Sequence, residues 1–170
     1  GWSFAVVPEV HRSYSGYYAQ TPVLDFLFNC YNACYGQEVA STQIHHSLLN
    51  SGVFVATNAA PHWSAWHKQL TAVLQRLNEP FFFSEQTALN YAIRHEKLPA
   101  ALLPAQCNWM CNRALPYLAL DGTTLVEPAP PHLPLGVIHL TANTKRGVLP
   151  ILDLAGKPQT RALTYPPLPM

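Results

Sequence analysis

The segment Leu48-Leu-Asn-Ser-Gly-Val-Phe-Val-Ala56 decides the fold of this chain. Its apolar and β-branched residues predict a buried strand, and Asn50-Ser51-Gly52 interrupts that strand with a signal typical of turns. Small residues inside a strand usually mean that another group approaches the backbone closely. The segment therefore predicts a core strand with a local irregularity.

Upstream, the sequence predicts a strand, a loop and a helix. Phe4–Val7 has the composition of a strand, and the polar and aromatic stretch 8–20 shows no sustained period, which favours a loop. Thr21-Pro22 then supplies an N-cap and a first-turn proline for a helix that ends near Gly36.

Downstream, two more helices are predicted. One spans residues 61–77, and the next begins at Ser84, which caps it, with Glu85 and Gln86 in its first turn. In the helix at 61–77 we expect a buried apolar stripe and a polar face. The stripe consists of Trp63, Trp66, Leu70, Val73, Leu74 and Leu77, and Lys68, Gln69 and Arg76 lie off it.

The remaining third of the chain predicts short strands. Leu98–Pro104 and Gly136–Thr141 are strand-like, and Asp121-Gly122 predicts a hairpin turn between apolar runs. Strands alternating with helices predict an α/β or mixed architecture. We expect one domain over residues 1–146 and a Pro-rich, irregular tail over 147–170.

Composition bounds the class of protein. The 170 residues are 49% hydrophobic and 11% charged, which suits one domain with a packed core. A net charge of +1 gives no field that would recruit nucleic acid or an anionic membrane. No apolar run reaches the length of a membrane span and no signal peptide is apparent, so we expect a cytoplasmic protein without a transmembrane segment.

The four cysteines form two C-x3-C pairs and should be reduced in that compartment. Cys30 and Cys34 lie in an apolar helical segment, which favours core packing. A zinc site built from Cys30, Cys34, Cys107 and Cys111 is the less favoured alternative.

Three segments could carry chemistry. In Gly136–Lys145 an apolar strand delivers His139, a potential metal ligand, and Lys145 follows as a point charge for phosphate. Thr141, Asn143 and nearby amides could complete an anion cradle. The other two segments are Asn50-Ser51-Gly52-Val53 and the helix start at Glu85-Gln86.

Taken in order, these motifs resemble the later half of family 8 retaining glycosyltransferases, which have the GT-A fold, and of their bacterial relatives. The resemblance covers roughly residues 4–146. Asn50-Ser51-Gly52-Val53 is similar to the family's N-[SA]-G-V strand and Glu85–Asn90 to its D-Q-x-x-L-N helix start. Asn108-Trp109 is similar to a later aromatic-Asn segment, and His139-x5-Lys145 to its H-x-x-G-x-x-K signature.

The resemblance implies a partial GT-A domain, a mixed sheet with flanking helices whose amino-terminal nucleotide-binding half is missing here. It implies sugar transfer with retention from a nucleoside diphosphate sugar, most simply a UDP-sugar, to an unknown acceptor, as part of a longer enzyme. The implied roles are a metal ligand at His139 for Mn²⁺ or Mg²⁺, diphosphate binding by Thr141, Asn143 and Lys145, donor-sugar binding by Asn50 and Gly52, and catalytic positions at Glu85 and Gln86.

Three departures from the family pattern affect this expectation. No Asp-x-Asp is present, so the chain by itself should bind a hard cation weakly and be inactive. Glu85 stands where the family has aspartate, and Ala142 where it has glycine. The alternative is a non-catalytic interaction module of the same fold that forms homo-oligomers through an exposed sheet edge.

Overall fold

The computed structural model describes residues 2–145 and 148–164, which form two compact units. The first consists of the described residues of Gly1–Val10 and Gln20–Pro104, and the second of those of His11–Ala19 and Ala105–Met170. In chain order the strands and α-helices are β1 (Phe4–Pro8), α1 (Ser15–Gln20), α2 (Val23–Tyr35), α3 (Gln37–Gln43), β2 (Leu49–Ala56), α4 (His62–Arg76), α5 (Ser84–His95), β3 (Ala101–Leu102), β4 (Trp109–Met110), β5 (Tyr117–Leu118), β6 (Leu125–Val126), β7 (Ile138–His139), β8 (Leu149–Leu152) and β9 (Pro158–Arg161).

The first unit is a small mixed sheet flanked by helices. Its strand order is β2-β1-β3, with β2 antiparallel and β3 parallel to the central β1. Phe4, Val6 and Leu49 pack against Leu89 and Ile93 of α5 and form its core. The mixed α/β architecture and the positions of the three long helices α2, α4 and α5 confirm the sequence predictions.

The irregularity predicted in β2 is a bulge. Val6 lies opposite Phe54, whereas the next residue, Val7, lies opposite Asn50. The three residues 51–53 therefore have no counterpart on β1, which makes this stretch of β2 a bulge.

The buried face of α4 differs from the predicted stripe. The residues it buries are His62, Ala65, Gln69 and Val73, whereas Trp63 is 42% exposed and Leu74 is 45% exposed. Val73 packs against Ala88 of α5, so close approach of two helices with small facing residues decides the buried face. The prediction is confirmed for Trp66, Leu70, Val73 and Leu77, which pack in the core, and it is wrong for the exposed Trp63 and Leu74 and for the buried Gln69.

Two predictions of irregular structure were also wrong. The stretch 8–20 contains a 3-10 helix at Arg12–Tyr14 and helix α1, because Tyr14 is buried against Trp109 of the same unit, with ring centroids 5.1 Å apart. Within 147–170, β8 and β9 form an antiparallel hairpin. Its prolines are tolerated because both strands are edges of a two-stranded sheet. Residues 147 and 165–170 lie outside the described residues.

The described residues of the second unit form three two-stranded sheets. Besides the β8–β9 hairpin, β4 pairs with β7 in parallel, and β5 pairs with β6 across the predicted Asp121-Gly122 turn. Its core contains Tyr14, Trp109, Met110 and Cys111. In the described part of the chain, no helix is long and apolar enough to cross a bilayer.

Candidate functional site

Five polar side chains of the first unit meet where β1 ends, β2 bulges and α5 begins. Glu9 follows β1, Asn50 and Ser51 belong to β2, and Glu85 and Gln86 are in the first turn of α5. Hydrogen bonds connect all five, and we refer to them as the polar cluster. Three of its members, Asn50, Glu85 and Gln86, are predicted site residues.

A buried carboxylate lies at the inner end of the polar cluster. Glu9 is 4% exposed, and its Oε1 accepts hydrogen bonds from Asn50 Nδ2 at 2.6 Å and from Gln86 Nε2 at 2.9 Å. The sequence analysis missed Glu9. The signal that could have found it is an acidic residue placed directly after a buried strand.

Gln86 is held at both ends of its carboxamide. While its Nε2 donates to Glu9, its Oε1 accepts from the Ser51 backbone N at 3.2 Å and lies 3.1 Å from Ser51 Oγ. The side chain is buried. The geometry therefore gives Gln86 the task of fixing the bulge of β2 relative to α5.

The outer end of the polar cluster faces solvent. Glu85 is exposed, and its Oε1 lies 2.9 Å from Ser51 Oγ. A hydroxyl has one proton, so Ser51 can donate to Glu85 or to Gln86 but not to both at once. Partial burial raises the pKa of Glu85, and the hydrogen bond from Ser51 opposes that increase.

The bulge itself is fixed by side-chain amides. Asn50 Oδ1 accepts from the Gly52 backbone N at 2.8 Å, so the predicted Gly52 is tied to the polar cluster through its backbone and is exposed. Asn90 of α5 bonds both backbone groups of Leu49, donating to its O at 2.7 Å and accepting from its N at 2.8 Å. Asn90 thus replaces a missing strand partner and anchors β2 on α5.

The other predicted site residues belong to the second unit. His139 is half-buried in β7, and Lys145 is exposed at the end of the 3-10 helix Ala142–Lys145. Thr141 is tied to Thr144, whose Oγ1 accepts from the Thr141 N at 2.9 Å, and Asn143 is exposed. Ala142 has φ +49°, a left-handed conformation that favours glycine.

The donor set for a metal ion is incomplete. Within residues 2–145 and 148–164, no three His, Cys, Asp or Glu side chains are placed to hold a cation. Hard cations such as Mg²⁺ are coordinated by about six oxygen ligands, whereas His139 offers one nitrogen ligand. The described residues by themselves therefore do not fit Mn²⁺ or Mg²⁺, nor do they place the cysteines for zinc.

The four cysteines are free thiols, three of them buried. Burial raises the pKa of Cys30 to about 11 and the pKa of Cys34 to about 12, with the nearby Cys30 adding to the shift of Cys34. Such thiols stay protonated and pack as small apolar groups. This confirms the expected core packing of the first pair.

A second buried carboxylate organises the second unit. Glu127 is fully buried and accepts hydrogen bonds from Arg12 and Gln106. Its Oε2 is also 2.9 Å from His11 Nε2. Burial alone would raise the pKa of Glu127, but the hydrogen bonds from Arg12 and Gln106 and the electrostatic attraction of His11 and Arg12 outweigh it and hold the pKa below its ordinary value. The sequence analysis did not identify this group.

Comparison of the chain with protein-family models, with curated proteins and with solved structures gave no match in any of the three. The arrangement of side chains is thus the basis for a functional proposal.

Proposed function

We propose that this chain contributes the later half of a retaining glycosyltransferase that uses a nucleoside diphosphate sugar, most simply a UDP-sugar. The observation that carries the proposal is the polar cluster. The resemblance assigns Asn50, Glu85 and Gln86 to the donor sugar, and these residues, distant in sequence, lie in one hydrogen-bonded network. A network with a buried anchor and a solvent-facing carboxylate suits the binding of sugar hydroxyls.

Within this proposal the members of the cluster have different tasks. Glu85 and Ser51 are the groups that would contact the sugar, because the Glu85 carboxylate is exposed and the Ser51 hydroxyl can turn away from Gln86. Gln86 is a positioning residue, since both ends of its carboxamide are already bonded. This assigns the direct role to Glu85 rather than to both predicted catalytic positions.

The resemblance assigns diphosphate binding to the loop after β7 of the second unit. Lys145 is exposed there and makes no ion pair with any described residue, so its charge is available to an anion. The left-handed conformation of Ala142 supports the proposal, because the resembling motif has glycine at that place. Thr141 and Asn143 would add hydrogen bonds to the phosphate oxygens. No step is assigned to a metal ion, because the described ligands do not hold one.

Calorimetric titration of the 170-residue chain with UDP and a UDP-sugar, with and without manganese, tests the proposal. We expect binding of both ligands to weaken at least tenfold in Lys145→Ala, because a charged contact to phosphate contributes about 1.5–3 kcal/mol and a factor of ten corresponds to about 1.4 kcal/mol. Glu85→Gln should weaken binding of the UDP-sugar and leave the affinity for UDP unchanged, since Glu85 would contact the sugar.

Glu79→Gln and Lys157→Ala are matched controls, because both residues are exposed and lie outside the proposed site. Equal losses in Lys145→Ala and Lys157→Ala would show a nonspecific charge effect. A folded chain that binds neither ligand has no donor site by itself, and restoring an upstream segment with Asp-x-Asp then decides whether the longer protein transfers sugar.

The competing candidate is an interaction module that associates through its sheet. The observation that favours it is that β2 and β3 are the outer strands of the described sheet and expose Val55 (63%) and Leu102 (64%). Sedimentation equilibrium should then show concentration-dependent self-association that Leu102→Lys abolishes. A monomer at all concentrations would eliminate a homo-oligomer of this kind.

A further inference from the structure

A cleft of about 540 Å³ opens in the first unit between α3, the segment after it and the second half of α5. It is separate from the polar cluster, with which it shares no residue. Its volume lies in the range of small-molecule sites, about 300–1,000 Å³. It is lined by Glu38, Val39, Thr42, Gln43, His46, Tyr91, Arg94 and His95.

Arg94 is the central cation of the cleft and is half-buried. Its Nη1 donates to Tyr31 Oη at 3.3 Å and to Gln43 Oε1 at 3.2 Å, and its Nη2 donates to the Ser47 carbonyl. A guanidinium has five N–H groups, so two remain without an acceptor among the described residues. None of the ion pairs in the described structure involves Arg94.

This arrangement leaves a positive charge partly desolvated and without a carboxylate. Burial lowers the pKa of Arg94, which reports the cost of that desolvation, and the phenol of Tyr31 opposes the shift. Arginine remains charged in proteins under such conditions. An anion in the cleft would supply the missing countercharge.

The other lining groups favour the same kind of ligand. Two imidazoles, His46 and His95, accompany Arg94, and Glu38 is the one acidic side chain in the lining. The His95 ring stacks on Tyr91, with centroids 4.9 Å apart, and Tyr91 stacks on Tyr35 at 4.0 Å. The cleft therefore combines the Arg94 guanidinium and two imidazoles with an aromatic wall.

We propose that this cleft binds a small molecule through an oxyanion, specifically a phosphate monoester, held by the two remaining N–H groups of Arg94. Arginine is suited to this because its planar fork matches two phosphate oxygens. Tyr91 and His95 form the surface against which the organic part of the ester packs. The proposal does not depend on the proposed function, because it concerns different residues.

Titrations of ¹⁵N-labelled protein with inorganic phosphate, phenyl phosphate and benzoate test the proposal. We expect saturable shifts of the Thr42, His46 and Arg94 amides, with phenyl phosphate binding more tightly than phosphate because of its ring. Benzoate has the same ring but a singly charged carboxylate in place of the phosphate, so it should bind more weakly than phenyl phosphate. Benzoate binding as tight as phenyl phosphate would overturn the assignment to phosphate.

Substitutions at the rim test the charge argument without disturbing the contacts of Arg94. Glu38→Gln should tighten phenyl phosphate binding about three- to fivefold, since it removes a like charge at the rim. Thr42→Glu, at an exposed position, should abolish detectable binding. Glu79→Gln removes the same charge elsewhere and should change nothing.

Arg94→Lys keeps the charge and loses the fork, so it should weaken binding about tenfold while the chain remains folded. Because Arg94 also contacts Tyr31, Gln43 and Ser47, the amide spectrum must show that the Arg94→Lys protein is folded. If this variant unfolds, the affinities of Glu38→Gln and Thr42→Glu test the proposal instead. Equal affinities in Glu38→Gln and Glu79→Gln, or no saturable shift in the folded wild-type protein, would overturn the proposal.

Discussion

The two units each contain a buried glutamate, and the two carboxylates are held in different ways. Glu9 Oε1 accepts from the carboxamides of Asn50 and Gln86, and through Gln86 it is connected to the solvent-facing Ser51 and Glu85. Glu127 is reached by Arg12, His11 and Gln106, and it is fully enclosed.

This difference distinguishes Glu9, which belongs to a candidate ligand site, from Glu127, which is a structural anchor. Carboxamides orient a carboxylate with modest energy, and the chain of hydrogen bonds from Glu9 ends on groups that a ligand can reach. Cationic donors to a buried carboxylate contribute more, and removing one partner is costly. Glu127 binds Arg12, 115 residues earlier in the chain, and so attaches the segment 11–19 to the rest of the second unit.

The largest effect should come from Glu127→Gln. The amide would present a donor to groups that are themselves donors, and we expect the second unit to lose about 2–4 kcal/mol of unfolding free energy. Hydrogen exchange of the β5 and β6 amides measures this loss in the second unit itself. Glu79→Gln is the control at an exposed site. A change below about 0.5 kcal/mol, the usual surface effect, would contradict the anchoring role.

Acidification should remove part of the same stability. Because the folded pKa of Glu127 lies below its ordinary value, the folded state favours the ionised form. Its contribution is complete above the unfolded pKa and is lost as the pH falls through the folded pKa. Protection of the β5 and β6 amides, after correction for the intrinsic exchange rate at each pH, should therefore decrease on acidification in the wild type, and this decrease should be smaller in Glu127→Gln.

Glu9→Gln should cost less, about 1–3 kcal/mol in the first unit, because its donors include neutral amides that can rearrange. Exchange of the Val6, Val7 and Asn50 amides follows the β1–β2 pairing. We also expect Ser51 and Glu85 resonances to shift, because a carboxamide oxygen accepts the hydrogen bond from Gln86 more weakly than the Glu9 carboxylate does. If Glu9→Gln were as costly as Glu127→Gln, the distinction between site and anchor would fail.

The sequence predicts features that depend on contacts between residues close together in the chain. Helices α2, α4 and α5 follow from local apolar periodicity, and the bulge from Asn50-Ser51-Gly52, so their positions were predictable. The predicted N-cap role of Ser84 was wrong, because Ser84 is the first residue of α5 and its hydroxyl donates to Phe81 O. The convergence of Asn50 with Gln86 was inferred through a resemblance to known motifs and not from local pattern.

The missed features depend on partners far away in the chain. Tyr14 is helical because it packs on Trp109, and Glu127 acquires its role from Arg12 and Gln106. The buried face of α4 depends on how closely α5 approaches, which the hydrophobicity of Trp63 and Leu74 cannot show. No window of sequence contains these contacts.

Ala142→Gly should stabilise the second unit by about 1 kcal/mol. Ala142 has φ +49°, where a Cβ costs roughly 1–2 kcal/mol and glycine costs nothing comparable, although the unfolded chain gains entropy. Ala155→Gly, at an exposed position without positive φ, is the control and should be slightly destabilising. A loss of stability in Ala142→Gly would show that the left-handed turn is not strained.

The smallest effect, and the most specific to the polar cluster, is expected for Ser51→Ala. The hydroxyl of Ser51 stabilises the ionised form of Glu85, so its removal should raise the pKa of Glu85 further above its ordinary value. A ¹³C titration of the Glu85 carboxyl carbon measures this directly. Ser64→Ala, which removes an exposed hydroxyl bonded to Pro61 O, should leave that titration unchanged. An unchanged Glu85 pKa in Ser51→Ala would mean that the hydroxyl donates to Gln86 instead, and that Glu85 meets a ligand without the help of Ser51.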